Sequence, residues 1–196
     1  NEREAADALL ARLQLGERLA FITDAGTPAV SDPGARLVAA LRAADVRCVP
    51  IPGVTAMGAA LSVAGDDGDG AGFYFAGFAP PKGAVRHQAL TRLAARPATT
   101  VLYESPHRIA ALASELATLA PSRNVTLARE LTKQFESVVT MPAQAMPEWL
   151  AADSNRVRGE FVVVLHAVVS EPVENEPNPH DALLLALLAE LPVKQA

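Results

Sequence analysis

A single cysteine, Cys48, in 196 residues excludes an intrachain disulfide framework. Its apolar setting, VRCVPI, marks it as a buried structural thiol. Long hydrophobic runs are also missing. FVVVLHAVV and ALLLALLAEL reach only about half of the roughly 20 residues that a membrane-spanning helix needs. No basic segment with a small-residue cleavage site precedes them, so a cytoplasmic protein is expected. An excess of positive charge is lacking too, and the net charge of -5 argues against general electrostatic binding of nucleic acid. The charge is uneven, however. Lys82 to Arg96 carries Lys82, Arg86, Arg92 and Arg96 without an acid, whereas EPVENEP near the C-terminal end carries only acids. A basic face therefore coexists with an acidic total.

Several catalytic signatures are absent. There is no GxxxxGK[ST], and DAGTP is not GxGxxG, so P-loop and Rossmann dinucleotide sites are not indicated. No GxSxG elbow or Cys-His nucleophile appears. His87, His107, His166 and His180 are scattered without metal-ligand spacing, and His166 falls inside an apolar run, where it reads as a satisfied core histidine.

At 50% hydrophobic and 20% charged, the chain is that of a globular protein. Apolar periodicity predicts a helix over residues 2–15 closed by Gly16, a strand over 18–23, and a helix over 33–44 with Asp32 as N-cap and Pro33 at its first position. A strand over 47–51 and a helix over 54–64 follow, an alternation that predicts βαβ units and a parallel sheet. GDDGDGAG, residues 65–72, has no large apolar side chain and reads as a loop between domains. Beyond it come a strand (73–78), a helix (84–95), a strand (99–104) and a helix over 106–119 capped by Ser105. VTLARE, a hairpin arm FESVVTM, a helix around PEWLAA and the strand EFVVVLHAVV complete a second α/β unit with antiparallel partners. SEPVENEPNP reads as a solvated linker before an apolar helix from Asp181 to Leu191. The expected domains are 1–69, 70–169, and a tail over 170–196.

In an open α/β sheet, ligands bind beyond the carboxyl ends of the strands. Three loops in such places are unusual: Thr23 to Gly34, in which Gly26 and Gly34 can take φ > 0; PIPGVTA, in which Thr55 stands at a helix start; and YESPHR, in which Glu104 ends a strand. Any βα turn needs such glycines and caps. Several together suggest a site made of backbone turns and small residues, suited to a cofactor that brings its own reactivity.

DAGTPAVSDPG (24–34), PIPGVTA (50–56), FAGFAPPKG (75–83), YESPHR (103–108), ARELTKQFE (128–136) and GEFVVV (159–164) resemble, in order and spacing, the ribosomal RNA small subunit methyltransferase I family. Those enzymes are 16S rRNA (cytidine-2′-O)-methyltransferases among the class III, tetrapyrrole methylase-like enzymes that use S-adenosylmethionine (SAM). The match covers roughly residues 1–169, and YESPHR followed by ARELTK is its most specific part. The resemblance implies a two-domain α/β protein with SAM in the cleft between domains, a 16S rRNA or small-subunit substrate, and a homodimer. It implies that Ala25, Gly26, Thr27 and Val30 approach the methionine part of SAM. Thr55 and Ala56 would line the cofactor, and Tyr103, Ala128 and Phe161 would close over the adenosine.

The residue types suit that task. A bulky cofactor cationic at sulfur needs close backbone approach, which Gly26 and Gly53 permit, and Asp24 or Asp32 can offset its charge. Both aspartates can equally be turn and cap residues. In-line alignment of a ribose 2′-oxygen supplies most of the acceleration, and Glu104, Glu130 and Lys133 are the unranked candidates for handling the proton. Arg108 and Arg129 are either phosphate or ribose contacts, or partners of Glu104 and Glu130 in ion pairs. The run from Lys82, with Arg86 and Arg92, is either beside the RNA path or a solvated helix face. The family pattern also begins with a strand and a TPIGNL-type loop and continues past LPVKQA, so this chain is expected to be a fragment. Two rivals remain: a porphyrinoid C-methyltransferase of the same superfamily, for which a GDP-type turn is expected in place of AGTP, and a non-catalytic module that binds SAM or RNA.

Overall fold

The computed structural model describes residues 2–68, 72–168 and 181–190. Three helices come first: α1 (Glu2–Gln14), α2 (Ala35–Ala43) and α3 (Ala56–Ala64). They are followed by β1 (Phe73–Phe78), α4 (Gly83–Ala94), β2 (Thr99–Glu104), α5 (Ile109–Leu119), β3 (Asn124–Arg129), β4 (Ser137–Pro142), α6 (Met146–Ala151) and β5 (Phe161–Leu165). Helix α7 (Asp181–Glu190) is the last described element. The expected linker SEPVENEPNP, residues 170–179, lies outside the described residues, as do residues 69–71 of the glycine-rich loop.

The strands form one five-stranded sheet in the order β1-β2-β5-β3-β4. β1 and β2 are parallel, joined through α4, and every other neighbouring pair is antiparallel. The central strand β5 is FVVVL, buried along its whole length because both faces of the sheet are covered there. Edge strand β4 alternates between half-buried and exposed and ends in Pro142, where a missing N–H costs no ladder bond.

Period-two alternation divides each inner strand between two cores. Leu102, Val125, Leu127, Val163 and Leu165 point to one face, where Leu90 of α4, Ile109, Leu112 and Leu116 of α5, and Met146 of α6 cover them. Val101, Ala128, Val162 and Val164 point to the other face, onto Ala60 and Ala64 of α3. The small side chains of AMGAALSVA let that helix lie close to the sheet. Thr126 Oγ donates to the carbonyl of Ala64 at 3.2 Å, which satisfies the helix end, and Gly65 closes it in the left-handed region at φ 67°.

The structure departs from expectation in two ways, the first of them confined to the first third of the chain. Residues 18–23 and 47–51 are not strands, and no parallel sheet forms there. A strand exists only as a hydrogen-bonded ladder, and neither segment has a ladder partner among the described residues. Phe21, Ile22, Val49 and Ile51 are consequently exposed. The second departure is at helix starts. α2 begins at Ala35 with Gly34, not Asp32, as its N-cap. Ala29 and Ser31 take left-handed φ values of 66° and 57°, which wind the preceding chain into a tight turn closed by Ala29 N–H on Pro33 C=O. α5 begins at Ile109 rather than 106, with residues 105–108 spent on a turn closed by Arg108 N–H on Ser105 C=O. Cys48 is half-buried, not fully buried. His166 does sit in the core, with its Nε2 2.7 Å from Thr126 Oγ.

Candidate functional site

The carboxyl ends of β1, β2 and β3 lie at one edge of the sheet, together with the start of the antiparallel β5. Pairing aligns Glu104, Phe161 and Arg129 in one row across that edge, and Tyr103, Val162 and Ala128 in the next. Tyr103 and Ala128 share the face covered by α3, whereas Phe161 is packed in the opposite core. The sequence motifs FAGFAPPKG, YESPHR, ARELTK and GEFVVV therefore meet at a single edge.

The two earlier motifs reach the same place. Thr55 caps α3, its hydroxyl accepting from Gly58 N–H at 3.0 Å, and the next free amide, Met57 N–H, donates to Tyr103 Oη at 3.1 Å. Burial pushes the Tyr103 phenol up from its usual value, so it remains a neutral hydroxyl. Thr27 Oγ donates to Val54 C=O at 3.2 Å and ties the AGTP turn to PGVTA. Gly77 permits the approach from the other side, since a Cβ there would stand 2.8 Å from Ser31 Oγ. Asp24, Ala25, Gly26 and Ala56 are exposed, and Thr27, Val30, Asp32 and Thr55 are half-buried. Gly26 has φ 74° and no heavy atom within 4 Å of where its Cβ would be, so the backbone of this turn is open to a ligand.

Of the five described non-glycine residues with positive φ, Ala29 and Ser31 lie in the first motif and Glu130 and Thr132 in ARELTK. Strain concentrated in two motif loops at one edge is the kind found at ligand sites.

The candidate acids and bases separate by environment. Glu104 is fully buried: Oε1 forms an ion pair with Arg108 Nη2 at 2.7 Å and accepts from Ser105 N–H at 2.9 Å, and Oε2 accepts from Arg86 Nη1 at 3.2 Å. Arg86, far from being exposed on a basic face, is buried and also donates to Glu115 at 2.7 Å and to Pro80 C=O at 3.1 Å. Its Nη2 is buried without a hydrogen-bond partner. Arg108 reaches Ala79 C=O at 3.2 Å, so the two arginines tie the APPK loop to YESPHR. Lys82 and Arg92 are exposed.

Glu130 lies over Gly159, where a Cβ would come within 2.5 Å of its Cγ. Its Oε1 accepts from Glu160 N–H at 2.9 Å and from Lys133 Nζ at 3.0 Å, while Lys133 also reaches Glu160 at 2.9 Å. The Glu160 amide, followed by Lys133, holds the Glu130 carboxyl below its usual range, and the two carboxylates raise the Lys133 ammonium. Arg129 pairs with neither acid. It donates to Phe135, Asn155 and Arg158 carbonyls and to Ser137 Oγ, bracing the loop after β3.

Among the described residues no group of His, Cys, Asp and Glu could hold a metal ion, and no helix is long and apolar enough to cross a membrane. A cavity of about 430 Å³ opens at the opposite edge of the sheet, between Leu61, Asp66, Phe73 and Thr99. It is remote from the convergent motifs. Sequence reasoning passed over Ser31, Phe78, Gly159 and Glu160. The glycine inside the strand FAGF was the available signal for the first two, because such a glycine marks close backbone approach or a bulge.

The family model of tetrapyrrole (corrin/porphyrin) methylases matches residues 1–147. A ribosomal RNA small subunit methyltransferase I of Neisseria meningitidis serogroup B is 42% identical over the whole chain, which spans 67% of that relative. The protein of the same name from Escherichia coli O157:H7 is 44% identical, and the chain again spans 68% of it. Among solved structures, uroporphyrin-III C-methyltransferase from Thermus thermophilus, complexed with S-adenyl homocysteine, is similar at a TM-score of 0.57 with 22% identity, covering 83% of this chain and 72% of that one. That likeness shows the fold, and the sequence relatives resolve the branch: the chain belongs to the tetrapyrrole methylase family and, within it, to the ribosomal RNA small subunit methyltransferase I enzymes.

Proposed function

We propose that this chain carries the cofactor-facing and substrate-facing edge of a SAM-dependent enzyme that methylates the ribose 2′-oxygen of a cytidine in 16S ribosomal RNA. The observation that carries the reading is the convergence of six motif segments at one sheet edge. The division near residue 69, a homodimer and a cytoplasmic location belong to the same proposal.

The donor set fits SAM. Ala25, Gly26, Thr27 and Val30 offer an open turn with accessible backbone, Thr55 and Ala56 present a small-residue helix start, and Asp24 supplies negative charge at the rim. Tyr103 and Ala128 wall the α3 side, while Phe161 supports this wall from the opposite face. When bound, SAM supplies a sulfonium methyl that needs alignment more than covalent help. Glu104, sealed between two arginines, is proposed as a positioning residue that holds the APPK and SPHR turns. Lys133, kept protonated by its two carboxylates, orients Glu130. Of the two candidate carboxylates Glu130 is the partly accessible one, and it is proposed to take the ribose proton. Lys82, Arg92 and Arg108 are proposed to meet RNA phosphates, whereas Arg86 and Arg129 serve from inside by bracing loops.

The test is transfer of radiolabelled methyl from SAM to small ribosomal subunits, followed by alkaline hydrolysis of the RNA. An alkali-resistant dinucleotide containing cytidine is expected, because a methylated 2′-oxygen cannot attack the adjacent phosphate. Label that stays out of RNA but enters a porphyrinoid macrocycle would overturn the reading in favour of the C-methylating branch. SAM binding without any methylated product would leave a binding module.

A further inference from the structure

Among the described strands β1 alone has a register break, between Phe75 and Gly77, and Gly77 sits there at φ 63°. In a regular strand Phe75 and Phe78 would face opposite sides. The extra residue of the bulge turns Phe78 back, so that both rings meet Tyr103: Phe75 edge-on at 4.9 Å and Phe78 edge-on at 5.6 Å. Phe75 is half-buried against the α3 core. Phe78 remains 51% exposed at the carboxyl end of the strand, beside the Ser31 turn. A lone exposed aromatic means little, but this one is held. Tyr103 is anchored by Met57 N–H, and the Arg108 guanidinium stands 5.9 Å from the Phe78 ring centre, itself fixed by Glu104 and by Ala79 C=O.

We propose that Phe78 is the platform on which a base of the single-stranded RNA substrate stacks, with Arg108 beside it to meet the backbone phosphate. This inference rests on the RNA-methylating function proposed above. A rigid aromatic face with a neighbouring guanidinium is what splayed-out bases use in single-stranded RNA recognition. Charge favours a phosphate-bearing ligand here, since the Arg108 guanidinium stands beside the ring and Glu104, the acid it pairs with, is buried. Stacking holds the nucleotide one strand-width from Tyr103 and so aligns its ribose with the cofactor edge.

The experiment measures binding of a fluorescein-labelled single-stranded 16S rRNA fragment by anisotropy, across a salt series, with SAM affinity followed separately by calorimetry. Phe78→Ala and Phe78→Leu are expected to weaken RNA binding roughly tenfold, by loss of one base–aromatic stack. Phe78→Tyr is expected to retain most of it. The slope of affinity against salt should stay the same for all three, because stacking releases no counterions. SAM affinity should also be unchanged. Wild-type affinity in the Ala and Leu variants, or a loss of SAM binding with RNA binding intact, would overturn the platform while leaving the RNA function standing. No RNA binding by the wild-type chain would overturn both.

Discussion

Glu104 shows how one residue identity acquires a role from its surroundings. A carboxylate at the end of a strand, next to a serine turn, is an obvious candidate for proton transfer. Its oxygens are instead committed to Arg86, Arg108 and the Ser105 amide, with no exposed surface left. Breaking a buried ion pair from one side is expensive because the remaining charge is uncompensated. Glu104→Gln is therefore expected to lower the unfolding free energy by about 3–5 kcal/mol, measured by urea denaturation. A change below about 1 kcal/mol, in the range of exposed ion pairs, would show that Arg86 and Arg108 do not depend on it. Glu130 is the contrasting case: the same side chain, held over Gly159 on the rim, keeps its charge and a route to solvent.

Elements are joined by side chains that capping rules alone do not predict. Arg123 follows α5 and precedes β3, yet its guanidinium donates to the carbonyls of Ala94, Arg96, Ala98 and His166 at 2.6–3.0 Å. It closes the C-terminal end of α4, fixes the approach to β2 and pins the end of β5. Arg123→Met keeps the apolar stem and removes every donor. With several buried carbonyls left unpaired at about 1–3 kcal/mol each, partly relieved by water, a loss of roughly 3 kcal/mol is expected. Thermal unfolding followed by circular dichroism checks it, and an unchanged midpoint would mean that these carbonyls are satisfied otherwise. The segments 18–23 and 47–51 teach the complementary lesson. Their apolar, branched residues suit a strand, but ladder formation is a property of pairs.

The pH dependence of stability belongs to the whole molecule and should show two separable limbs. Burial, helped by the nearby Arg123 charge and opposed by Asp66, holds the His166 imidazole below its ordinary 6.5. As pH falls below about 6.5 the unfolded chain takes up a proton that the folded chain refuses, so stability decreases until His166 in the folded state is also protonated. Glu130 is depressed below its ordinary 4.5, so its contribution is present above that pH and is lost as pH falls through the folded value. His166→Gln is expected to flatten the upper limb and leave the acid limb in place, as read from urea midpoints between pH 7 and 3. If the upper limb persists in that variant, another group titrates there.

By itself the sequence determined what depends on neighbours along the chain. Alternating branched residues specify β2, β3 and β5, small residues specify a close-packed α3, and Thr55 in PGVTA specifies a helix start; all of these formed. The motif string was enough to place the chain in its family, because spacing of turns and strand ends survives without knowledge of contacts. Tertiary structure alone decided what depends on partners distant in sequence. It paired β2 and β3 through β5, which brought the motif loops to one edge, buried Arg86 within a helix that reads as basic, and swung Phe78 onto the face of Tyr103 through a one-residue bulge. It also left residues 18–23 and 47–51 without a ladder. Burial of a charge, register of a strand and the side on which a ring emerges are all set by pairings whose energies appear only when the chain has folded.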